Sequence, residues 1–114
     1  MQARKLTDAY SVAPQIQVTD VAAIAAEGYR SIMCNRPDGE QPGQPLYAEI
    51  AATAAAQGLA VCHVPVVSGA ITRDDVDAFN LAIAELPAPV FAYCRSGARC
   101  TNLWSMSDAG QRSL

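Results

Sequence analysis

The residues of this sequence that carry the most chemistry stand together near its carboxyl end, in the run Cys94-Arg-Ser-Gly-Ala-Arg99-Cys-Thr101. An apolar run from Val90 to Tyr93 precedes it, and a stretch with Leu103, Trp104 and Met106 follows as a helix beginning near Arg99. A cysteine at the carboxyl end of a buried strand, facing a helix start, sits where oriented backbone N–H groups and the helix dipole favour negative charge. That setting stabilises a thiolate. Free cysteine has a pKa of about 8.5, and a helix N-terminus with a guanidinium nearby lowers it by several units, making a nucleophile at neutral pH. Gly97 permits the tight backbone in which the amides of Arg95, Ser96, Gly97, Ala98 and Arg99 converge on one point. Arg99 adds a planar fork that matches two oxygens of a tetrahedral oxyanion. The chemistry is that of a thiolate attacking a small anionic substrate. A plainer reading makes Cys94 a small buried apolar residue beside solvated arginines. The order strand, cysteine, glycine, arginine, helix favours the site instead.

The remaining reactive residue types are dispersed. Cys34, Cys62, Cys94 and Cys100 form no C-x-x-C pair, and the single His63 completes no zinc set with them, so neither a metal nor a cofactor is expected. Cys34 and Cys62 lie in apolar runs and read as core, and His63 reads as a hydrogen-bonded structural histidine. Eleven acidic against eight basic residues give a net charge of -3 with no Lys/Arg run, which argues against nucleic acid and anionic membrane surfaces. No apolar stretch approaches the ~20 residues of a membrane span, and the first ten residues carry no signal-peptide run. The expectation is one cytoplasmic domain, residues 1–114, large enough for a core without disulfides.

Alanine-rich helical stretches alternate with short apolar runs, the pattern of an α/β fold with a mostly parallel sheet flanked by helices. The expected order starts with an extended segment at Tyr10 to Ala13. A helix capped by Thr19 runs through Asp20, Val21, Ile24 and Glu27 to a stop at Gly28, and a strand follows at Ser31 to Asn35. Arg36 to Pro45 must be a loop, since three prolines and two glycines fall within it. A helix at Leu46 to Gln57 and a buried strand at Leu59 to Val67 come next. Thr72 with Asp75 forms a capping box that opens a helix through Val76, Phe79, Ile83 and Leu86. Pro87 and Pro89 then lead into Val90 to Tyr93. Trp104 reads as core.

Three motifs together, Asn35-Arg-Pro-Asp-Gly-Glu40, His63-Val-Pro-Val-Val-Ser-Gly69 and Tyr93-Cys-Arg-Ser-Gly-Ala-Arg99, carry a resemblance that runs from Leu6 to about Trp104. The chain resembles the bacterial beta-lactamase hydrolase-like protein phosphatase-like family, whose members are also labelled sulfur transferases. The resemblance implies a protein tyrosine phosphatase-like three-layer fold with a four- or five-stranded sheet and the cysteine loop as active site. It implies, too, the company of a persulfide dioxygenase or another sulfide-handling enzyme.

Several positions depart from the phosphatase pattern. Four residues rather than five separate Cys94 from Arg99, as in a rhodanese loop, and the tighter ring suits a persulfide sulfur better than a phosphoryl group. Tyr93 replaces the usual histidine. Ser68-Gly69 stands where a phosphatase carries its general acid. Asp38 and Glu40 are substitutes if the proline-rich loop folds over the site, although Asp38 before Gly39 also suits a turn. Asp74, Asp75 and Asp77 read as cap and solvated face. Arg36 either reaches the anion or braces its loop. Cys100 stands where Ser or Thr would donate to the thiolate, so either Thr101 compensates or Cys100 resolves a Cys94 persulfide. The stretch after Trp104 is shorter than the family's, which suggests a shortened chain, uncovered apolar surface and a homodimer.

The reading that follows is a sulfur transferase working through a Cys94 persulfide on a sulfane sulfur donor. A phosphatase acting on a phosphate ester through a phosphocysteine is the second reading, and a non-catalytic anion-binding or partner-docking domain the third.

Overall fold

A computed structural model describes residues 2–112. The sheet has five strands: β1 (Arg4–Thr7), β2 (Tyr10–Ala13), β3 (Ser31–Cys34), β4 (Ala60–His63) and β5 (Val90–Tyr93), in the spatial order β1-β2-β5-β3-β4. Only the β1–β2 pair is antiparallel. Every residue of β2, β3 and β5 is buried, as expected of strands covered on both faces. The register is level: Val90 of β5 pairs with Tyr10 and Ser31, and Tyr93 pairs with Ala13 and Cys34. Three strands therefore end at one edge. The chain leaves them there as Pro14-Gln15, Asn35-Arg36 and Cys94-Arg95, at the carboxyl ends where open α/β sheets place their sites.

Side chains alternate along β5 and sort the core into two layers. Phe91 and Tyr93 join Ile24, Ile32 and Ile50 on one face, beneath α1 (Val21–Ala26) and α2 (Tyr47–Ala56). Val90, Ala92 and Cys94 join Tyr10, Phe79 and Leu103 on the other, beneath α3 (Arg73–Glu85) and α4 (Ala98–Met106). Cys94 thus belongs to the face covered by the helix that its own loop starts. Trp104 stacks on Tyr10 with ring centroids 4.3 Å apart, anchoring α4 to β2.

The local signals mostly place the elements within a residue or two, and the departures have physical causes. Thr19 does not cap the first helix. Asp20 Oδ2 accepts from the Gln17 amide at 2.8 Å, which sets a 3-10 turn at Val18–Asp20 ahead of α1. The fourth strand stops at His63 rather than reaching Val67, because Pro65 has no N–H to continue the ladder. Even so, the amides of Val64 and Val66 reach the carbonyls of Cys34 and Asn35 at 2.9 and 3.1 Å, so the segment still tracks β3 toward the site. The capping box forms as expected: Asp75 N donates to Thr72 Oγ1 and Thr72 N to Asp75 Oδ2, at 3.1 and 2.9 Å. Strand β1 and the short α5 (Asp108–Arg112) had no periodic signal. The first is a polar edge strand, and the second is a single turn or so held by Ser107 Oγ accepting from Gly110 N.

Phe91 is fully buried at the sheet centre, edge-on to Tyr29 at 5.2 Å. Phe91→Ala is expected to cost ~3–5 kcal/mol, read as a lowered urea midpoint with an unchanged slope.

Candidate active site

The cysteine loop hangs between two level strand ends. Cys94 N donates to Ala13 O at 3.3 Å, and Gln15 N donates back to Arg95 O at 3.3 Å, so the chains leaving β2 and β5 brace one another. Gly97 then turns into α4 with a φ of 93°, the left-handed region that favours glycine, and a Cβ there would lie 3.5 Å from the Ala13 backbone. The turn aims amides inward. Gly97 N donates to Cys94 Sγ at 3.0 Å, and the amides of Ser96, Arg99 and Cys100 also stabilise that sulfur.

Cys94 is fully buried, and its thiol is held down at about 5. The largest cause is the hydrogen bond from the Cys100 thiol; burial opposes it, and the loop amides add to the lowering. Burial, and after it the same contact, pushes the Cys100 thiol well above its ordinary range, so Cys100 remains the protonated donor. Thr101 does not take that role. Its Oγ1 donates to Gly97 O at 2.9 Å and accepts from Arg4 at 3.3 Å.

Arg99 is buried, and its fork is already filled. Nη1 and Nη2 donate to Glu40 Oε2 and Oε1 at 2.8 and 2.9 Å, and Nη1 also donates to Val66 O at 2.9 Å. Arg36, only 2% exposed, approaches the same carboxylate from the other side, with Nε 2.8 Å from Glu40 Oε1. Its remaining nitrogens donate to Gln15 and Gln41, both at 3.0 Å. Arg36 therefore braces the loop. The proline-rich segment does fold over the site, and Glu40 is what it brings. The Arg99 contact, then that of Arg36, holds the Glu40 carboxyl at about 2 against burial, so it is ionised at neutral pH and offers no proton.

Asp38 lies apart from this cluster. Its Oδ1 accepts from Tyr47 N at 2.9 Å and caps the start of α2. His63 stacks on Tyr47 at 4.4 Å, with Nε2 2.9 Å from Arg36 O, a structural placement. Asp75 closes its capping box and Asp77 pairs with Arg73, both on α3. Tyr93 and Cys34 sit in the core, and burial pushes the Cys34 thiol up, as it does the half-buried Cys62. Among the described residues no group of three or more His, Cys, Asp or Glu side chains is placed to hold a metal ion, and no helix is long and apolar enough to cross a membrane. The bidentate role of Glu40 was invisible in the sequence. Its one local signal is the four-residue spacing from Arg36, whereas Arg99 lies 59 positions away.

Fold and loop together define a cysteine-based, phosphatase-like domain with a protein tyrosine phosphatase-like fold. Residues 2–111 match the family described as beta-lactamase hydrolase-like protein, phosphatase-like domain, and the chain belongs to that family. The beta-lactamase hydrolase-like protein of Agrobacterium fabrum is 36% identical over 109 residues, 96% of this chain and 25% of that protein. The protein of the same name from Xylella fastidiosa strain Temecula1 is 37% identical over 103 residues, 90% and 24% respectively. The chain thus spans about a quarter of the length of the curated relatives it matches. Among solved structures, a candidate phosphatase of Neisseria meningitidis Z2491 superposes with a TM-score of 0.82 at 38% identity, covering 89% of this chain and 72% of that one. The TpbA protein of P. aeruginosa, solved as a C132S form with pTyr, shares the fold at a TM-score of 0.63 and 13% identity, covering 91% and 60%.

The charge arrangement sets two expected outcomes. Because the Glu40 carboxyl is depressed from an ordinary 4.5 to about 2, its contribution is complete above pH 4.5 and fades as pH falls toward 2. Glu40→Gln should flatten that limb of a stability-versus-pH curve. At neutral pH it should cost on the order of 1–3 kcal/mol, the buried-pair figure reduced for the partial exposure of Glu40. For the thiolate, alkylation of Cys94 by iodoacetamide should titrate with a midpoint of about 5. Cys100→Ala should move that midpoint upward, and Cys100→Ser, which keeps a donor, should move it less.

Proposed function

We propose that this domain transfers sulfane sulfur through a persulfide on Cys94. The observation that carries the reading is the proton inventory at the loop's mouth. A groove of about 560 Å³ opens over it, lined by Glu40, Ser68, Arg95, Ser96, Ala98 and Arg99, and its one carboxyl group among the described residues is the ionised Glu40. Expulsion of an alkoxide or phenoxide from a phosphate ester calls for a proton donor at that place. Sulfite leaving thiosulfate needs none.

In the first step the Cys94 thiolate attacks the outer sulfur of thiosulfate. A bond from Sγ to that sulfur forms, the bond from it to the sulfonyl sulfur breaks, and sulfite leaves with the electron pair. The amides of Ser96, Gly97, Arg99 and Cys100, already directed at Sγ, stabilise the terminal persulfide anion. A thiolate or cyanide then attacks that terminal sulfur, and the bonding pair returns to Sγ, regenerating the Cys94 thiolate. Arg99 stays paired with Glu40 throughout and supplies a fixed field rather than a moving clamp. With a thiol acceptor the product is a persulfide, which suits a sulfide-handling enzyme as the next consumer, and a persulfide dioxygenase is the proposed partner.

The fold shared with the pTyr-bound protein favours a phosphatase as second reading. In that case Cys94 attacks phosphorus, and Arg99 must leave Glu40 to hold the equatorial oxygens.

Parallel assays with thiosulfate and with an aryl phosphate separate the two. Turnover is expected with thiosulfate and cyanide, with Cys94 gaining the mass of one sulfur atom in intact-protein spectra and Cys94→Ser losing both signals. Faster hydrolysis of the aryl phosphate, with no added sulfur, would reverse the assignment. Sulfate binding without either turnover would mark a non-catalytic anion-binding domain.

A further inference from the structure

A second and larger cavity, about 740 Å³, adjoins the cysteine loop on the side away from Glu40, between β1, the end of β2 and the first turns of α4. It shares Arg95, Ser96 and Ala98 with the mouth of the site, so the two hollows meet across the loop's outer rim. Arg4 and Arg95 both line it, and among the described residues no Asp or Glu does. The contrast with the other arginines of the site is sharp. Arg36 and Arg99 share Glu40, while neither Arg4 nor Arg95 has a carboxylate within ion-pair distance among the described residues. Arg4 donates to Thr101 Oγ1 at 3.3 Å, and both arginine side chains are exposed. In a chain of net charge -3, two guanidiniums without a carboxylate partner are thus gathered on one concave wall beside the nucleophile. Asn102 adds a side-chain amide, and Val12, Ala13 and Pro14 give the groove an apolar floor.

Resting on the sulfur-transfer reading, we propose that this groove seats the carboxylate-bearing tail of the thiol that collects sulfur from Cys94, with Arg4 and Arg95 as its anchors. Planar guanidiniums match carboxylates in geometry and charge, and a flexible tail with two carboxylates offers one to each of the two arginines that line the groove. A thiol anchored there approaches Cys94 over Ser96. Its thiolate attacks the terminal sulfur of the persulfide, the new S–S bond forms on the acceptor, and the broken bond's pair returns to Cys94 Sγ. Atoms and charge balance with no further reagent. Tethering also raises the effective concentration of the acceptor sulfur at the loop.

The test compares two acceptors of Cys94 sulfur at saturating thiosulfate: glutathione, which carries two carboxylates, and the uncharged 2-mercaptoethanol. In Arg4→Gln and in Arg95→Gln, kcat/KM for glutathione should fall about tenfold more than that for 2-mercaptoethanol, chiefly through KM. Equal losses with both thiols, or no loss with either, would overturn the proposal. A second measurement does not depend on turnover. Reduced glutathione titrated against the protein should shift the amide resonances of Arg4, Ser96 and Asn102, and Arg4→Gln should weaken that response. If thiosulfate turnover is absent but the titration succeeds, the sulfur-transfer reading fails and the groove stands as an anionic-tail subsite. If turnover is present and those resonances stay fixed, the groove proposal alone fails.

Discussion

Two guanidinium groups lie buried where β2, β3 and β5 end, and a single carboxylate, that of Glu40, stands between them. A buried cation without a partner is costly, so the placement of Glu40 governs much of what surrounds it. The proline-rich loop must fold back over the sheet edge to deliver it. Gln15 and Gln41 take up the Arg36 nitrogens that Glu40 leaves free, and Val66 O takes up another donor of Arg99. The segment after β4, the chain leaving β2 and the helix α4 are therefore tied to one another through charge-assisted hydrogen bonds rather than through the apolar core.

The Cys94 thiolate is tied to the same constraint, since its sulfur is itself a partner of the Arg99 guanidinium. Burial alone would push the Cys94 thiol up, as it does for Cys34 and Cys62. Cys94 departs from them because donors surround its sulfur. In an extended chain the Cys100 thiol would be out of its reach, yet the turn at Gly97 and the first residues of α4 bring the two together. Loop amides complete the shell. Arg99 holds the first turn of α4 in register through Glu40 and Val66, and so fixes where those donors point. Such a site is arranged before any substrate arrives, which is the condition for stabilising negative charge on sulfur without reorganisation.

Much of the fold was legible because its signals are local. Apolar runs marked β2, β3 and β5, the Thr72–Asp75 box marked the start of α3, and Gly97 marked a turn that only a residue tolerant of positive φ makes at low strain. The weaker elements escaped for the corresponding reason. A polar edge strand such as β1 and a five-residue helix such as α5 have too little apolar surface to leave a periodic trace, and they are held by contacts with the rest of the fold.

At the site the division is sharper. The sequence by itself determined that a cysteine, a glycine and an arginine stand in the order that makes a tight loop of inward-aimed amides between strand and helix, because that order is contiguous and backbone conformation follows from it. Tertiary structure alone decided what each neighbouring side chain does there. It gave Glu40 to Arg99 across 59 positions, turned Asp38 to the start of α2, bound Arg36 to its own loop and set Arg4 and Arg95 over a shared groove with no carboxylate beside them. Pairing between distant charges depends on which strand ends lie side by side, and that adjacency comes from the order of strands in the sheet, which no local stretch of sequence contains.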